Sequence, residues 1–498
     1  MRAATKEHCM PNDTSRRNFL GLSALGIAAG VVANESGALA ANPTSPLNPG
    51  TQEDPSPRNG SEIAIHVTSP DQRYAAAPAV AWSKSSAPRS ATQIQLNPAT
   101  KFQSIQGFGG ALTDATCYMF NQLSASARAQ LFHEMFGPSE MNLNLCRTCI
   151  GASDYSTKLY SYDDGEADPD LTRFSIEHDR AWILPMIREA RQVNPDLFLF
   201  STPWSPPGWM KFNNSMLGGS MRRFYLHAYA QYFLKFLQGY AAEGVTIQAV
   251  TSQNELDTDQ DGRMPACIWP QEYEIQFIRD HLGPLLESTG TPVKIWLLDH
   301  NYNLWGRVVD CLEDEKLRRY SNSVAWHGYY GTPDMMSKAH EHFPDADMHW
   351  TEGGPDYTDA DYLNGWCKWG RIFTDVLRNW CGSITTWNLA LDEVGKPNLG
   401  PFPCGGVVSI HSGTQEITRS AQFWGLAHFS RTIRRGAHRF DSQSAATDVL
   451  HVAFENPDGS KVLVLTNKAA ATAVALRQGK MNAAVPLKEN SVTTLTWS

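Results

Sequence analysis

No stretch of this 498-residue chain is apolar over the roughly 20 residues that a membrane-spanning helix needs. The nearest approach, Phe19 to Ala33, is short, rich in Gly and Ala, and ended by Asn34 and Glu35. Stable membrane insertion is therefore not expected. Positive charge is also scarce: 42 Lys and Arg face 51 Asp and Glu, a formal net charge of −9. That balance argues against nucleic acid as a partner. Cysteine supplies no metal framework. Of nine, Cys146 and Cys149 have C-x-x-C spacing, but no second pair follows at zinc-site distance, and buried free thiols are expected. The sequence has no H-E-x-x-H, no G-x-S-x-G and no G-x-x-x-x-G-K-[ST]. Asp257, Asp259 and Asp261 alternate as in a calcium loop, yet its twelfth position is Ile268, not Glu. A solvated loop is the simpler reading.

Residues 1–40 are expected to be a twin-arginine export signal. Arg16 and Arg17 precede the apolar stretch, and Ala38-Leu39-Ala40 offers a small-residue cleavage site. The mature protein would then be periplasmic or extracellular. Residues 41–61 are crowded with Pro, Ser, Asn and Gly and read as a disordered linker. Within 62–103, strands are expected at 62–68 and 92–96.

From 104 to 434, short β-type runs alternate with helical stretches. The runs are 105–108, 143–150, 197–202, 247–252, 293–298, 324–327, 347–351 and 383–387. Between them, 221–243 carries Tyr225, Tyr229, Tyr232, Phe233, Phe236 and Tyr240 at three-to-four spacing, a packing stripe. Eight strand-helix units predict a (β/α)8 TIM barrel of the α/β class. A doubly wound sheet is the rival, but Gly107-Phe108-Gly109-Gly110 lacks the G-x-G-x-x-G nucleotide turn. After a last helix at 418–434, strands are expected at 449–454, 461–466, 471–476 and 491–497. The segment 435–498, paired with the strands before residue 104, would form an accompanying β-sandwich built from both chain ends.

In such a barrel, reactive groups stand at the C-terminal ends of strands. The fourth run leads into Gln253-Asn254-Glu255 and the seventh into Glu352-Gly353-Gly354, so two carboxylates emerge at one face. Paired carboxylates are what glycosidic bond cleavage requires. Trp204, Trp209, His327, Tyr329 and Trp387 lie at or just beyond strand ends. Aromatic faces can stack on sugars, and polar groups such as Asn254 and Asp114 can bind hydroxyls. Trp209 is read as core packing.

Five ordered motifs, Gln106-Gly107-Phe108-Gly109-Gly110-Ala111-Leu112-Thr113-Asp114-Ala115, Ser205-Pro206-Pro207-Gly208-Trp209-Met210-Lys211, Asn254-Glu255, Thr351-Glu352 and Trp387-Asn388-Leu389-Ala390-Leu391, together resemble glycoside hydrolase family 30, especially its glucosylceramidase branch. The likeness runs from about Phe102 to the end of the chain. It implies a retaining, exo-acting β-glycosidase that needs no metal or organic cofactor. Glu255 would be the acid/base and Glu352 the nucleophile, with Arg147 beneath Glu352. Asp114, Trp204, Asn254 and Trp387 would line the subsite of the cleaved sugar, and His327 and Tyr329 match an H-x-Y after strand six. Leu256 stands where the family's motif usually has Pro, and Gly328 where glucosylceramidases tend to have Trp. Both departures bear on the aglycone side. A β-glucoside is the expected substrate, with a β-1,6-glucanase or β-xylosidase as rivals within the family. A non-catalytic carbohydrate-binding protein is the alternative outside it.

Overall fold

The computed structural model of the chain describes residues 62–84, 92–445 and 447–498. The segments read as export signal and linker lie outside the described residues. Strands β1 (Glu62–Ser69), β2 (Gln72–Ala81) and β3 (Thr92–Ser104) come first. Eight parallel strands follow: β4 (Gly107–Ala111), β5 (Leu145–Cys149), β6 (Phe198–Thr202), β7 (Ala249–Thr251), β8 (Lys294–Asn301), β9 (Ser323–His327), β10 (Asp347–Glu352) and β11 (Cys381–Asn388). They close in sequence order, β11 pairing back onto β4. The predicted (β/α)8 barrel is therefore present.

Barrel strands alternate inward and outward, so interior residues climb in steps of two. Leu145, Phe200, Ala249, Trp296 and Ala325 form an apolar plug. Two residues further along β5, β6, β7 and β9 stand Arg147, Thr202, Thr251 and His327, all buried. A polar layer thus rests on an apolar one, at the face where the strands end. Gly109 shows why the glycine-rich first motif exists without a nucleotide. A Cβ there would lie 1.8 Å from the Leu145 carbonyl oxygen, so the close approach of β4 and β5 excludes any side chain.

The aromatic stripe of the long helix is packing, as read. The helix runs Leu226–Ala242 and buries Tyr229, Tyr232, Phe233, Phe236 and Tyr240, after a separate 3-10 turn at Arg223–Tyr225. Trp209 is likewise buried, its Nε1 donating to the Asp163 carbonyl at 2.9 Å. Among the described residues, eight cysteines are free thiols, seven of them buried. No helix of the described residues is long and apolar enough to cross a membrane.

Past the barrel, β12 (Ala390–Leu391), β13 (Val408–Ile410) and β14 (Ile417–Arg419) make a small sheet. The last helix is consequently shorter than predicted, Ala421–Ser430, because Ser420 caps it by accepting from the Phe423 amide. Then come β15 (His438–Gln443), β16 (Val449–Glu455), β17 (Lys461–Asn467), β18 (Thr472–Gln478), β19 (Met481–Leu487) and β20 (Ser491–Trp497). With β1–β3 they form one nine-stranded sheet in the order β19-β18-β3-β15-β16-β17-β20-β1-β2. Ser83 and Asn482 exchange backbone hydrogen bonds at 2.8 and 2.7 Å, so the two ends of that order meet around a core including Ile65, Leu96, Phe440 and Leu465.

Three of these strands, β2, β15 and β19, were absent from the sequence reading. Two of them are the outer strands, and each holds a proline, Pro78 and Pro486. Proline is tolerated at sheet edges because one side of an edge strand needs no amide donor. Strand β3 also runs far beyond 92–96: Lys101 pairs with Phe440 and Asn97 with Asp441, so the intervening residues around Pro98 bulge out without ending the strand. The first barrel strand begins at Gly107, not 105, and β7 is only three residues long.

Barrel and sandwich share buried polar contacts. His428 of the last helix, fully buried, meets Thr494 Oγ1 through Nδ1 and Thr68 Oγ1 through Nε2, both at 2.8 Å. One ring thereby ties the helix to strands from both chain ends.

Candidate active site

Arg147 is the centre of the polar layer. Its guanidinium is wholly buried and reaches four strand ends at once. Nη1 donates to Glu352 Oε2 at 2.5 Å, Nη2 to Asp299 Oδ2 at 2.7 Å and to Asn254 Oδ1 at 2.9 Å, and Nε to Thr202 Oγ1 at 3.3 Å. A buried cation is tolerable only with paired charges and filled hydrogen bonds, and both are supplied here. Burial disfavours its charged form, but the Asp299 and Glu352 carboxylates outweigh that and raise its pKa. The guanidinium also lies 4.6 Å from the Trp204 ring and 5.4 Å from Trp387.

Glu352 ends β10. Besides Arg147 it accepts from the Tyr329 hydroxyl at 3.0 Å through its other oxygen. Both carboxylate oxygens are therefore held in fixed directions. Glu255 lies four residues past β7, its backbone in the left-handed region at φ 47°, which is sparsely used by residues other than glycine. Gln260 Nε2 donates to its Oε2 at 2.8 Å, and His327 Nδ1 lies 3.3 Å from Oε1. His327 Nε2 is 3.0 Å from Asp299 Oδ1 and 3.9 Å from Glu352 Oε2. One imidazole therefore touches both glutamates. Burial works against a charged ring, yet the Glu352 charge and the bonds to Asp299 and Glu255 prevail and lift the His327 pKa to about 9.

Asn254, with its oxygen engaged by Arg147, directs its amide nitrogen elsewhere. Trp204 and Trp387 are buried and stacked, centroids 5.0 Å apart and planes within 21°. Asp114 starts the helix Asp114–Gln122. Its carboxylate accepts from the Thr157 amide and hydroxyl at 2.6 and 2.7 Å and from Trp182 Nε1 at 2.6 Å, and lies 3.0 Å from His178 Nε2. Burial would raise its pKa, but His178 and Thr157 draw it below the ordinary aspartate value. The sequence-predicted residues Arg147, Asn254, Glu255, His327, Tyr329 and Glu352 thus form one connected network. Trp204 and Trp387 join it through Arg147, whereas Asp114 is held in a separate cluster with the loop after β5.

Three residues escaped the sequence reading. Asp299 accepts from Arg147, from Thr202, Thr251 and Thr351 hydroxyls at 2.9, 2.8 and 2.7 Å, and faces His327. Burial would neutralise it, but Arg147 and His327 hold its pKa far below the usual range. It enters the interior because Leu298 and Asp299 adopt φ 70° and 49° and the register with β9 shifts between Leu298 and His300. His300 follows, its Nε2 2.5 Å from Asp257 Oδ1 and its Nδ1 3.6 Å from Glu255 Oε1. Asp154, buried in the loop after β5, has its pKa pushed well up by burial and by the Glu352 and Glu255 charges. The missed signal for Asp299 and His300 was the same one that marked the glutamates: polar residues directly beyond an apolar run.

Comparison with known proteins agrees with this geometry. Residues 105–433 match the glycosyl hydrolase family 30 TIM-barrel domain, and residues 436–495 the glycosyl hydrolase family 30 beta sandwich domain. The chain is 31% identical over 399 residues to putative glucosylceramidase 1 of Caenorhabditis elegans, covering 75% of this chain and 76% of that protein. It is 32% identical over 395 residues to endo-1,6-beta-D-glucanase of Neurospora crassa, covering 75% and 81%. Among solved structures, SrfJ from Salmonella typhimurium superposes with a TM-score of 0.83 at 29% identity, covering 88% of this chain and 99% of that one. With two carboxylates at the mouth of a closed barrel and both domains matched in order, the chain belongs to glycoside hydrolase family 30 and is a glycosidase.

Proposed function

We propose that this glycosidase hydrolyses terminal β-glucosides with net retention, Glu352 acting as nucleophile and Glu255 as general acid/base. The observation that carries the roles is the difference between the two carboxylates' surroundings. Glu352 is gripped by a guanidinium and a phenol, one on each oxygen, which aim it. Glu255 instead meets the Gln260 amide and the imidazoles of His327 and His300. In the first step Glu352 bonds to the anomeric carbon as the glycosidic C–O bond breaks, and Glu255 protonates the departing oxygen. In the second, Glu255 takes a proton from water, which displaces Glu352 from the sugar.

The Asn254 amide nitrogen, freed by the Arg147 contact at its oxygen, is suited to a sugar hydroxyl, and the Trp204–Trp387 stack would form a wall. Asp114, backed by His178 and Trp182, would close the far side of a one-sugar pocket, which supports exo action on a glucoside with a bulky aglycone such as ceramide. A β-1,6-glucanase is the second reading, favoured by the Neurospora relative, which is as similar as the nematode glucosylceramidase. Products from glucosylceramide and from a linear β-1,6-glucan separate the two. Glucose released from the lipid supports the first reading. Mixed oligosaccharides from the glucan, with none from the lipid, install the second. For the roles, Glu352→Gln is expected to abolish turnover. Glu255→Gln should spare substrates with very good leaving groups and be accelerated by azide; the reverse pattern would exchange the assignments. The proposal includes export by the twin-arginine signal.

A further inference from the structure

We propose that Glu255, His300 and His327 form a binding site for a zinc-class transition-metal ion, through which such an ion reversibly inhibits the enzyme. Donor atoms converge: Glu255 Oε1 lies 3.3 Å from His327 Nδ1 and 3.6 Å from His300 Nδ1, and one ligand atom from each of the three residues lies within 4.8 Å of the other two. Zinc–nitrogen and zinc–oxygen bonds of about 2.0–2.2 Å in tetrahedral array put neighbouring ligand atoms roughly 3.3–3.6 Å apart. The two spacings around Glu255 match that edge. All three residues are buried.

The two rings are oriented for metal binding as well. His300 Nε2 is set on the Asp257 carboxylate and His327 Nε2 on that of Asp299, so each ring can give its N–H to a carboxylate and turn Nδ1 toward Glu255. This carboxylate–histidine pairing is how proteins orient metal-ligating imidazoles. His300 Nδ1 has no hydrogen-bond partner although the residue is only 3% exposed, so a buried ring nitrogen points into the cluster. Nearby carboxylates outnumber the cations: Glu255, Glu352, Asp257 and Asp299 are set against the guanidinium of Arg147 and the His327 ring. Two imidazoles and one carboxylate select zinc, cobalt or copper over magnesium, which prefers six oxygens. Three protein ligands leave a fourth position for water or another ligand. Any proton held on these atoms passes to solvent as the ion binds.

Binding rests on this geometry alone, whereas inhibition rests also on the acid/base reading of Glu255; the two fail separately. The test uses the full chain, chelator-treated, with a chromogenic β-glucoside and added Zn2+ or Mg2+. Zn2+ is expected to inhibit, a chelator to restore activity, and Mg2+ to have no effect. In His300→Ala and in Asp257→Asn, each compared with its own metal-free rate, half-inhibition should need about tenfold more Zn2+ or higher. Co2+ reads binding without turnover, giving the intense visible bands of low-coordinate cobalt in the wild type and losing them in His300→Ala. Asp257 has a half-exposed side chain, so its variant carries the test if His300→Ala fails to fold. Equal Zn2+ sensitivity of wild type and variants would put the ion elsewhere, on thiols for example, and overturn the proposal. Absence of both inhibition and cobalt bands would overturn it equally. Cobalt bands without inhibition would keep the site and refute its effect on catalysis.

Discussion

Replacing Asp299 by Asn removes the charge and one of the two acceptor oxygens shared by Arg147, His327 and three threonine hydroxyls. Asp299→Asn is expected to destabilise the fold by about 3 kcal/mol, since it breaks a buried ion pair by one partner. Arg147 would retain only Glu352 as a charged partner, so turnover should fall more than substrate affinity weakens. Denaturant melts with kcat and KM measured separately check both; unchanged stability and kcat would refute the role as a positioning residue. At this scale the sequence was informative where chemistry is concentrated in a short motif, as at Asn254-Glu255 and Thr351-Glu352. It was silent where a residue matters only through its neighbours. Thr202, Thr251 and Thr351 look like ordinary strand residues, and only the closed barrel turns all three hydroxyls onto one carboxylate.

At the scale of elements, β9 and β10 explain one departure from the glucosylceramidase pattern. A Cβ on Gly328, just past β9, would lie 2.7 Å from Trp350 Cζ2 on β10. Trp350 is buried and packed edge-on against Phe373, 5.9 Å between centroids, so it cannot give way. Gly328→Ala is predicted to cost about 1–3 kcal/mol by overpacking. Replacing Trp350 by Leu in the same chain should recover part of that loss, read as a coupling energy in a double-mutant cycle. Additive effects would contradict the clash. The elements themselves were legible where apolar runs are bounded by turn residues, which holds for the barrel strands after the glycine-rich β4. They were illegible at β2 and β19, whose alanines and prolines carry little β-propensity, because edge position and pairing with neighbours decide those strands. Asp299 and His300 were lost for a related reason: the bulge at Leu298 extends β8 beyond the apolar run that announced it.

For the whole molecule, both chain ends meet in one sheet, and His428 fastens that sheet to the barrel. Residues 1–40 are proposed as the twin-arginine export signal, removed from the mature protein. Replacing Arg16 and Arg17 by Lys is therefore expected to leave the precursor in the cytoplasm while its specific activity stays unchanged; undiminished export would refute the signal. The architecture was readable from periodicity and order of motifs, whereas the partner of the reactive carboxylates on the aglycone side was not, since loops after the strands set it. The proposed mechanism runs through a covalent glycosyl-enzyme on Glu352. Its most direct test is to trap that species with an activated 2-deoxy-2-fluoro-β-glucoside, digest the protein and locate the added mass. The account predicts stoichiometric inactivation with the sugar on the peptide carrying Glu352; label on Glu255, or loss of the substrate's leaving group without any label, would contradict it.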